Sequence, residues 1–278
     1  MTGRFSNIML VSDLDGTLLD KQSRVSPKNQ AALEYFVENG GVFAIATGRN
    51  EHSAGQYRSV LPMNAPAILY NGAVIYDFAT QTNLMTIGLP NETQQVVREL
   101  MVHCPEIGIQ IYQSGETRFI QHNQRTVNER ELLGWPVETV AIEQVALPWV
   151  KVLLIGEPEQ LAVAETFLKH QPQSFRMVYS ERYYLELLPL GVSKGQALQE
   201  LAKLVGGTSR KTVAMGDNQN DLEMIAMADL GIAVANAHPE VKQAAKFCCG
   251  YHYADAVAEV VQLIETWLHE GNPQLAVG

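Results

Sequence analysis

The most constraining feature of this chain is an alternation of short apolar runs with helical stretches, which fills its first and last thirds. Each run has four or five residues, most of them aliphatic, and each leads into glycine or polar residues. Runs of this kind are typical of buried strands. Because they alternate with helices, they predict an α/β fold with a doubly wound, Rossmann-like parallel sheet. The runs are residues 8–11, 42–46, 67–70, 212–215 and 230–234.

The middle of the chain has a different pattern. Residues 109–112 and 117–120 flank a polar turn that contains Gly115, which is typical of a β-hairpin. The segment from Asn91 to Gln94 resembles a capping box in front of an amphipathic helix that ends near His103. We therefore predict a second, inserted α/β domain over residues 84–187. Residues 1–83 and 188–278 then form the core.

The charge balance restricts the partners of this chain. The formal net charge is −10 over 278 residues, which argues against nucleic acid or anionic lipid as the main partner. The first residues lack the apolar stretch of a signal peptide. No run approaches the ~20 apolar residues that a membrane span requires. We therefore expect a cytoplasmic protein that acts on a small molecule, and the sequence leaves its oligomeric state open.

Two carboxylates follow the first apolar run. Asp13 and Asp15 stand directly after the predicted strand, and Gly16 then turns the chain away. In an open α/β sheet the carboxyl ends of the strands form the edge at which ligands bind. Two carboxylates this close repel each other, so such a pair usually requires a cation or a proton.

Further polar groups are expected at the same edge. Thr47 follows the second run, Asp217 and Asp221 follow the fourth, and Lys194 opens the helix that precedes it. Several carboxylates gathered there require a counter-charge, and a hard divalent cation with oxygen ligands, most plausibly Mg²⁺, supplies it. Lys194 and Thr47 add anion-binding groups, so the set suits a phosphoryl group. A carboxylate can attack such a group and form an acyl phosphate.

These motifs resemble, in order, those of the haloacid dehalogenase-like phosphohydrolase superfamily. The matching segments are Asp13-Leu14-Asp15-Gly16-Thr17, Thr47-Gly48-Arg49, Lys194, and Gly216-Asp217 followed by Asn220-Asp221. The long insertion between the second and third motifs is similar to that of the Cof-type subfamily, which carries a large α/β cap there. The resemblance implies a catalytic core in residues 1–83 and 188–278 and a cap in residues 84–187.

The resemblance also implies the roles of three aspartates. Asp13 is expected to be the nucleophile and a metal ligand. Asp15 is expected to protonate the leaving oxygen and then to activate water, with its backbone carbonyl on Mg²⁺. Asp217 is the third expected protein ligand of the metal.

The remaining motif residues are expected around the phosphoryl group. The resemblance implies that Thr47 and Lys194 hold its oxygens and that Gly48 offers a backbone amide. Arg49 is expected to face the substrate and Asn220 to touch the phosphate. Two further residues are expected to support these groups from behind: Thr17, and Asp221, which would orient Lys194 or a metal-bound water.

The resulting prediction is a Mg²⁺-dependent phosphatase that hydrolyses a small phosphomonoester, such as a sugar phosphate, through an aspartyl-phosphate intermediate. Two alternatives remain at this stage: a phosphosugar mutase of the same superfamily, and a non-catalytic module that binds phosphate and Mg²⁺. The role of Asp221 is also open, since an acidic residue in a first helical turn can act on the helix dipole alone. Asn71, in Asn71-Gly72 after the third run, is interpreted first as a turn residue.

Overall fold

The computed structural model describes residues 3–270 except residues 114, 133, 135, 173, 207–209 and 253–254. The strands are β1 (Ile8–Ser12), β2 (Val42–Ile45), β3 (Ala67–Leu69), β4 (Val74–Asp77), β5 (Thr82–Thr86), β6 (Gly108–Gln113), β7 (Glu116–Gln121), β8 (Lys151–Ile155), β9 (Phe175–Glu181), β10 (Tyr184–Pro189), β11 (Lys211–Gly216), β12 (Leu230–Ala233) and β13 (Phe247–Cys248). The α-helices are α1 (Pro27–Glu38), α2 (Glu51–Gly55), α3 (Thr93–His103), α4 (Gln124–Leu132), α5 (Pro158–Lys169), α6 (Lys194–Gly206), α7 (Leu222–Met227), α8 (Pro239–Ala244) and α9 (Ala256–Glu270).

The chain divides into two compact units, and residues 1–84 with 193–278 form the first. Its main sheet has the strand order β13-β12-β11-β1-β2, and every neighbouring pair in it is parallel. A parallel bridge between Ala46 and Ile68 links β2 to β3. The predicted α/β fold class with a parallel sheet is therefore confirmed.

Every residue of β1 and β2 is buried, as expected for apolar runs in the interior of a parallel sheet. The helix between them starts where the sequence predicts. Ser26 accepts a hydrogen bond from the backbone N–H of Asn29, and Pro27 occupies the first helical turn. Leu33 and Phe36 are the apolar side chains that this helix buries.

The register of the two central strands fixes the position of the acid motifs. Ser12 at the end of β1 is paired with Met215 near the end of β11, and the N–H of Asp13 donates to the carbonyl of Met215 at 3.0 Å. The residues that follow the two strands therefore emerge side by side. Residues about 200 positions apart in sequence are brought together in this way.

The second unit is residues 85–192. Its sheet has the order β7-β6-β8-β10-β9 with antiparallel pairing, and the predicted hairpin is present as β6 and β7. Helices α3 and α5 contribute Leu100 and Leu161 to its apolar core, together with Trp149 and inward-facing strand residues. That this unit acts as a cap stays a prediction.

In the second unit one local prediction is wrong and one helix was not predicted. Helix α3 begins at Thr93 with Glu92 as its N-cap residue, and no side chain caps it. The predicted capping box starting at Asn91 therefore does not form. Helix α4 was not predicted, since its sequence is mostly polar and shows little apolar periodicity.

Among the described residues, no helix has both the length and the apolar character that crossing a membrane requires.

Candidate active site

A buried lysine joins two of the acid motifs. Lys194 is the first residue of α6, and the hydroxyl of Ser193 caps this helix by accepting from the N–H of Gln196 at 3.1 Å. The Lys194 side chain is completely buried. Its Nζ donates to Oδ1 of Asp13 and to Oδ1 of Asp221, both at 2.7 Å. The lysine predicted from the third motif thus contacts residues of the first and fourth motifs.

Asp13, Asp217 and Asp221 form a carboxylate cluster at the ends of β1 and β11. Each of the three residues has one carboxylate oxygen that lies within 4.8 Å of the corresponding oxygens of the other two. Two glycines allow this approach. A Cβ on Gly16, which has a φ of +84°, would lie 2.5 Å from Oδ2 of Asp217, and a Cβ on Gly216 would lie 2.5 Å from the Cβ of Asp221. A side chain at either position would therefore push the carboxylates apart.

Burial has the largest effect on the pKa values of the two carboxyl groups Asp13 and Asp217. Burial raises the pKa of Asp13 well above its usual value; the Lys194 ammonium opposes this rise, and the carboxylates of Asp221 and Asp217 add to it. Burial and the charge of Asp221 raise the pKa of Asp217 to about 6. Burial lowers the pKa of Lys194, but its contacts with Asp13 and Asp221 raise it by more, so this side chain remains charged.

The donor set fits a divalent cation. With all three carboxylates ionised, the cluster and Lys194 together carry two negative charges in excess, counted over the described residues. Oxygen atoms from carboxylates are the ligands that Mg²⁺ prefers. The sequence expectation of Mg²⁺ at this edge therefore agrees with the chemistry of the cluster, although the ligand set stays a prediction.

Asp221 and Asp217 differ in how their oxygens are used. Oδ2 of Asp221 accepts from the backbone N–H groups of Asp217 and Asn218 at 3.0 and 3.1 Å, while its Oδ1 accepts from Lys194. Asp217 accepts from the Thr17 hydroxyl at 3.0 Å through Oδ1. These contacts place Thr17 and Asp221 in supporting positions, Thr17 behind a predicted metal ligand and Asp221 against Lys194.

The side chain of Asp15 lies outside this carboxylate cluster. Its two oxygens accept from Nη2 and Nε of Arg49 at 2.6 and 2.8 Å. The Arg49 guanidinium also lies over the ring of Tyr57, 5.3 Å from its centroid, and donates to the Tyr57 hydroxyl at 3.3 Å. The pKa of Arg49 is raised by its hydrogen bonds to Asp15. The sequence did not predict this pairing, because the two residues are 34 positions apart and belong to different motifs.

The other predicted phosphate-binding residues surround a short turn after β3. Oγ1 of Thr47 accepts from the N–H of Arg49 at 3.1 Å, which closes the loop at the end of β2. Nδ2 of Asn220 donates to Oδ1 of Asn71 at 2.9 Å. Gly48 lies against the same asparagine, since a Cβ there would be 3.1 Å from Nδ2 of Asn71. The N–H of Asn71 donates to the carbonyl of Thr47 at 3.0 Å, so Thr47, Gly48 and Asn220 all contact the turn that contains Asn71.

A further loop contacts both acid motifs and was not predicted as part of the site. The side-chain amide of Asn236 donates to the carbonyl of Gly16 at 2.8 Å. The N–H of His238 donates to the carbonyl of Asp217, also at 2.8 Å. The signal in the sequence was the position of this loop directly after β12, at the same edge of the sheet.

Comparison with known sequences identifies the family. The sequence model of the haloacid dehalogenase-like hydrolases matches residues 10–261. This match spans most of the chain, so the protein belongs to the haloacid dehalogenase-like hydrolase family. The resemblance predicted from the four motifs is confirmed, and with it the prediction that the chain is an enzyme.

Two named relatives and one solved structure are similar to this chain over most of their lengths. The HMP-PP phosphatase of Serratia proteamaculans is 29% identical over 232 residues, which cover 83% of this chain and 84% of the relative. The pyridoxal phosphate phosphatase YbhA of Escherichia coli is 28% identical over 269 residues, covering 91% and 97%. The crystal structure of a haloacid dehalogenase-like hydrolase from Bacteroides thetaiotaomicron has a TM-score of 0.80 at 29% identity, covering 92% and 98%. These names agree with the predicted phosphoric monoester hydrolase.

Proposed function

We propose that this protein is a Mg²⁺-dependent phosphatase that hydrolyses small phosphomonoesters through an aspartyl-phosphate on Asp13. The observation that carries the proposal is the close approach of the Asp13, Asp217 and Asp221 carboxylates at the edge where the parallel strands end, with the buried Lys194 donating to Asp13 and Asp221. Gathering carboxylates in this way is costly to stability, and clusters of this kind are concentrated at binding and catalytic sites.

In the first step an oxygen of Asp13 attacks phosphorus. The bond between phosphorus and the leaving alcohol oxygen breaks, and the alcohol takes a proton from the carboxyl group of Asp15. In the second step Asp15 removes a proton from water, whose oxygen attacks the same phosphorus. The bond between Asp13 and phosphorus breaks, which releases inorganic phosphate and restores the Asp13 carboxylate.

The other site residues bind the phosphoryl group and set its orientation. Lys194 neutralises charge on the phosphoryl oxygens, and Thr47, the Gly48 amide and Asn220 donate hydrogen bonds to them. Asp13, Asp217 and the backbone carbonyl of Asp15 would hold Mg²⁺. When bound, this cation supplies positive charge that allows two anionic groups to approach each other.

The pairing of Asp15 with Arg49 has a consequence for this mechanism. Both side-chain oxygens of Asp15 accept hydrogen bonds from Arg49. The acid role requires one of these oxygens to reach the leaving oxygen, so the pair has to separate before the leaving group departs. We propose that the phosphomonoester competes with Asp15 for Arg49, which agrees with the expectation that Arg49 faces the substrate.

Small phosphorylated metabolites are the proposed substrate class. The named relatives are phosphatases of HMP-PP and of pyridoxal phosphate, which are both small molecules. A panel of sugar phosphates, pyridoxal phosphate and related phosphomonoesters should therefore release inorganic phosphate with this enzyme. The release of phosphate should require Mg²⁺ and should stop when EDTA removes this cation.

Asp13→Asn tests the nucleophile. We expect this variant to be inactive and to take up no label from a ³²P-labelled substrate, whereas the wild type forms a hydroxylamine-sensitive phosphoenzyme. Asp77→Asn is the matched control, because Asp77 caps a surface turn by accepting from the N–H of Ala79. Full activity of Asp13→Asn would remove the proposed mechanism, and isomerised sugar phosphate in place of free phosphate would indicate a mutase.

A further inference from the structure

The turn after β3 has an unusual backbone. Tyr70, Asn71 and Gly72 have φ values of +51°, +55° and +105°, so three consecutive residues lie in the left-handed region. This region costs energy for every residue except glycine, and most of all for a bulky side chain such as tyrosine. Strained backbone of this kind persists where the surrounding structure enforces it, and it concentrates at functional sites.

The backbone of this turn contacts two of the predicted phosphate-binding segments. The N–H of Tyr70 donates to the carbonyl of Arg49 at 3.1 Å, and the N–H of Asn71 donates to the carbonyl of Thr47 at 3.0 Å. At Gly72 a Cβ would lie 2.2 Å from the carbonyl oxygen of Ser193, the residue before Lys194. The turn is therefore fitted between the loop after β2 and the start of α6.

The Asn71 side chain extends these contacts to the fourth motif. This side chain is almost completely buried, with 2% of its residue surface exposed. Its Oδ1 accepts the 2.9 Å hydrogen bond from Nδ2 of Asn220. An amide can rotate so that its oxygen and nitrogen exchange places, and an acceptor at this position selects the nitrogen. Asn71 thus fixes which atom of the Asn220 amide faces the neighbouring groups.

We propose that Asn71 is a positioning residue that orients the Asn220 amide toward the phosphoryl group. The inference rests on the proposed function, since it requires that Asn220 contacts the substrate phosphate. It explains why an asparagine occupies a left-handed position next to Gly72. Asparagine tolerates this conformation and supplies the acceptor, whereas a second glycine would supply only the conformation.

Asn71→Gly separates these two contributions, because glycine keeps the left-handed backbone and removes only the side chain. We expect Asn71→Gly to lose about tenfold in kcat/KM, the loss that follows from one hydrogen bond of ordinary net strength. Gln81→Gly is the matched control: Gln81 also has a positive φ, +57°, but lies in the exposed turn between β4 and β5. This control should keep the kcat/KM and the melting temperature of the wild type.

A double-mutant cycle with Asn220→Ala provides the readout that a structural role would not give. If Asn71 acts through Asn220, the double variant should be no slower than Asn220→Ala alone. If Asn71 only supports the fold, the factors by which Asn71→Gly and Asn220→Ala each lower kcat/KM should multiply in the double variant. Loss of less than twofold in Asn71→Gly, or multiplication in the double variant, overturns the proposal.

Asn71→Asp gives a second test if the glycine variant does not fold. Aspartate tolerates the left-handed backbone, and its carboxylate still accepts from Nδ2 of Asn220. In the Asn71→Asp background, Asn220→Ala should therefore lower kcat/KM by the same factor as it does in the wild type. If it does not lower kcat/KM there, the proposal is overturned. A wild-type enzyme that releases no phosphate from any phosphomonoester contradicts the proposed function itself, whereas the cycle in an active enzyme judges Asn71 alone.

Discussion

Replacing Lys194 by methionine tests how far this ammonium stabilises the carboxylates around it. Methionine has a similar length and fills the same apolar stem, so the main change is the loss of one positive charge and two hydrogen bonds of 2.7 Å. Asp13 and Asp221 are both buried, and each would lose the ammonium group that donates to it. We expect Lys194→Met to abolish phosphatase activity and to weaken the folded state at the same time.

The size of the effect follows from the burial of the pair. Removing one member of a buried, hydrogen-bonded ion pair costs about 3–5 kcal/mol, because the remaining charge stays desolvated. A domain has a total stability of about 5–15 kcal/mol, so this is a large fraction of it. With an m-value of about 4 kcal/mol/M in guanidinium chloride, the unfolding midpoint should fall by about 1 M.

The assay is equilibrium unfolding in guanidinium chloride at pH 7 with EDTA present, so that bound cations do not compensate. Lys203→Met is the matched control on the same helix, since Lys203 is mostly exposed and its pair with Glu200 contributes little. Adding Asp221→Asn to Lys194→Met should restore part of the stability. The asparagine oxygen can take the place of Oδ2 of Asp221 and accept from the amides of Asp217 and Asn218, while the buried carboxylate is removed. A midpoint for Lys194→Met within about 0.2 M of the wild type would refute the reasoning, because an uncompensated buried charge costs more than that.

Three other predictions concern the acid cluster and its glycine. Mg²⁺ at 100 times its dissociation constant should stabilise the wild type by about 2.7 kcal/mol, and Asp217→Asn should show a much smaller gain when the melting temperature is measured with and without Mg²⁺. In EDTA at pH 7, Asp217→Asn should be more stable than the wild type by about 1–3 kcal/mol, because the folded pKa of about 6 exceeds the unfolded value of about 3.9. The Asp217 carboxyl group binds its proton more tightly in the folded wild type than in the unfolded chain, so the stability of the wild type falls as the pH rises from about 4 to about 6. Below about pH 4 the stability advantage of Asp217→Asn should therefore disappear, which urea titrations at several pH values would measure. Gly16→Ala should lower kcat/KM by more than about 100-fold, because the new Cβ would displace the Asp217 carboxylate and because alanine disfavours a φ of +84°. A loss of less than tenfold in a steady-state assay would contradict the close approach of Gly16 to Asp217.

The strands and the positions of the acid motifs could be predicted from the sequence because both depend on local patterns. A run such as residues 42–46 is apolar enough to be buried, and the rule that parallel strands end at one edge then places Thr47 near Asp13. The helix at Pro27 was predictable for the same reason, since Ser26 and Pro27 are adjacent start signals.

Side-chain pairings between distant motifs could not be predicted in this way. The Arg49–Asp15 pair and the Asn71–Asn220 pair depend on distances between loops, and neither residue type nor spacing encodes them. Helix α4 was missed because its polar sequence gives no periodic signal. The start of α3 was misjudged because Asn91 is a favourable cap residue, whereas the helix begins two residues later with no side-chain cap.

The adjacency of β1 and β11 has a consequence for how the protein is made. The hydrogen bond between Thr17 and Asp217 joins residues 200 positions apart, so the ribosome has to add all the intervening chain before this contact can form. At about 5–20 residues per second, that delay is about 10–40 s. Residues 85–192 are continuous in sequence and emerge completely within this interval. The nascent protein can therefore complete its inserted unit while its first strand still lacks one of its two neighbours.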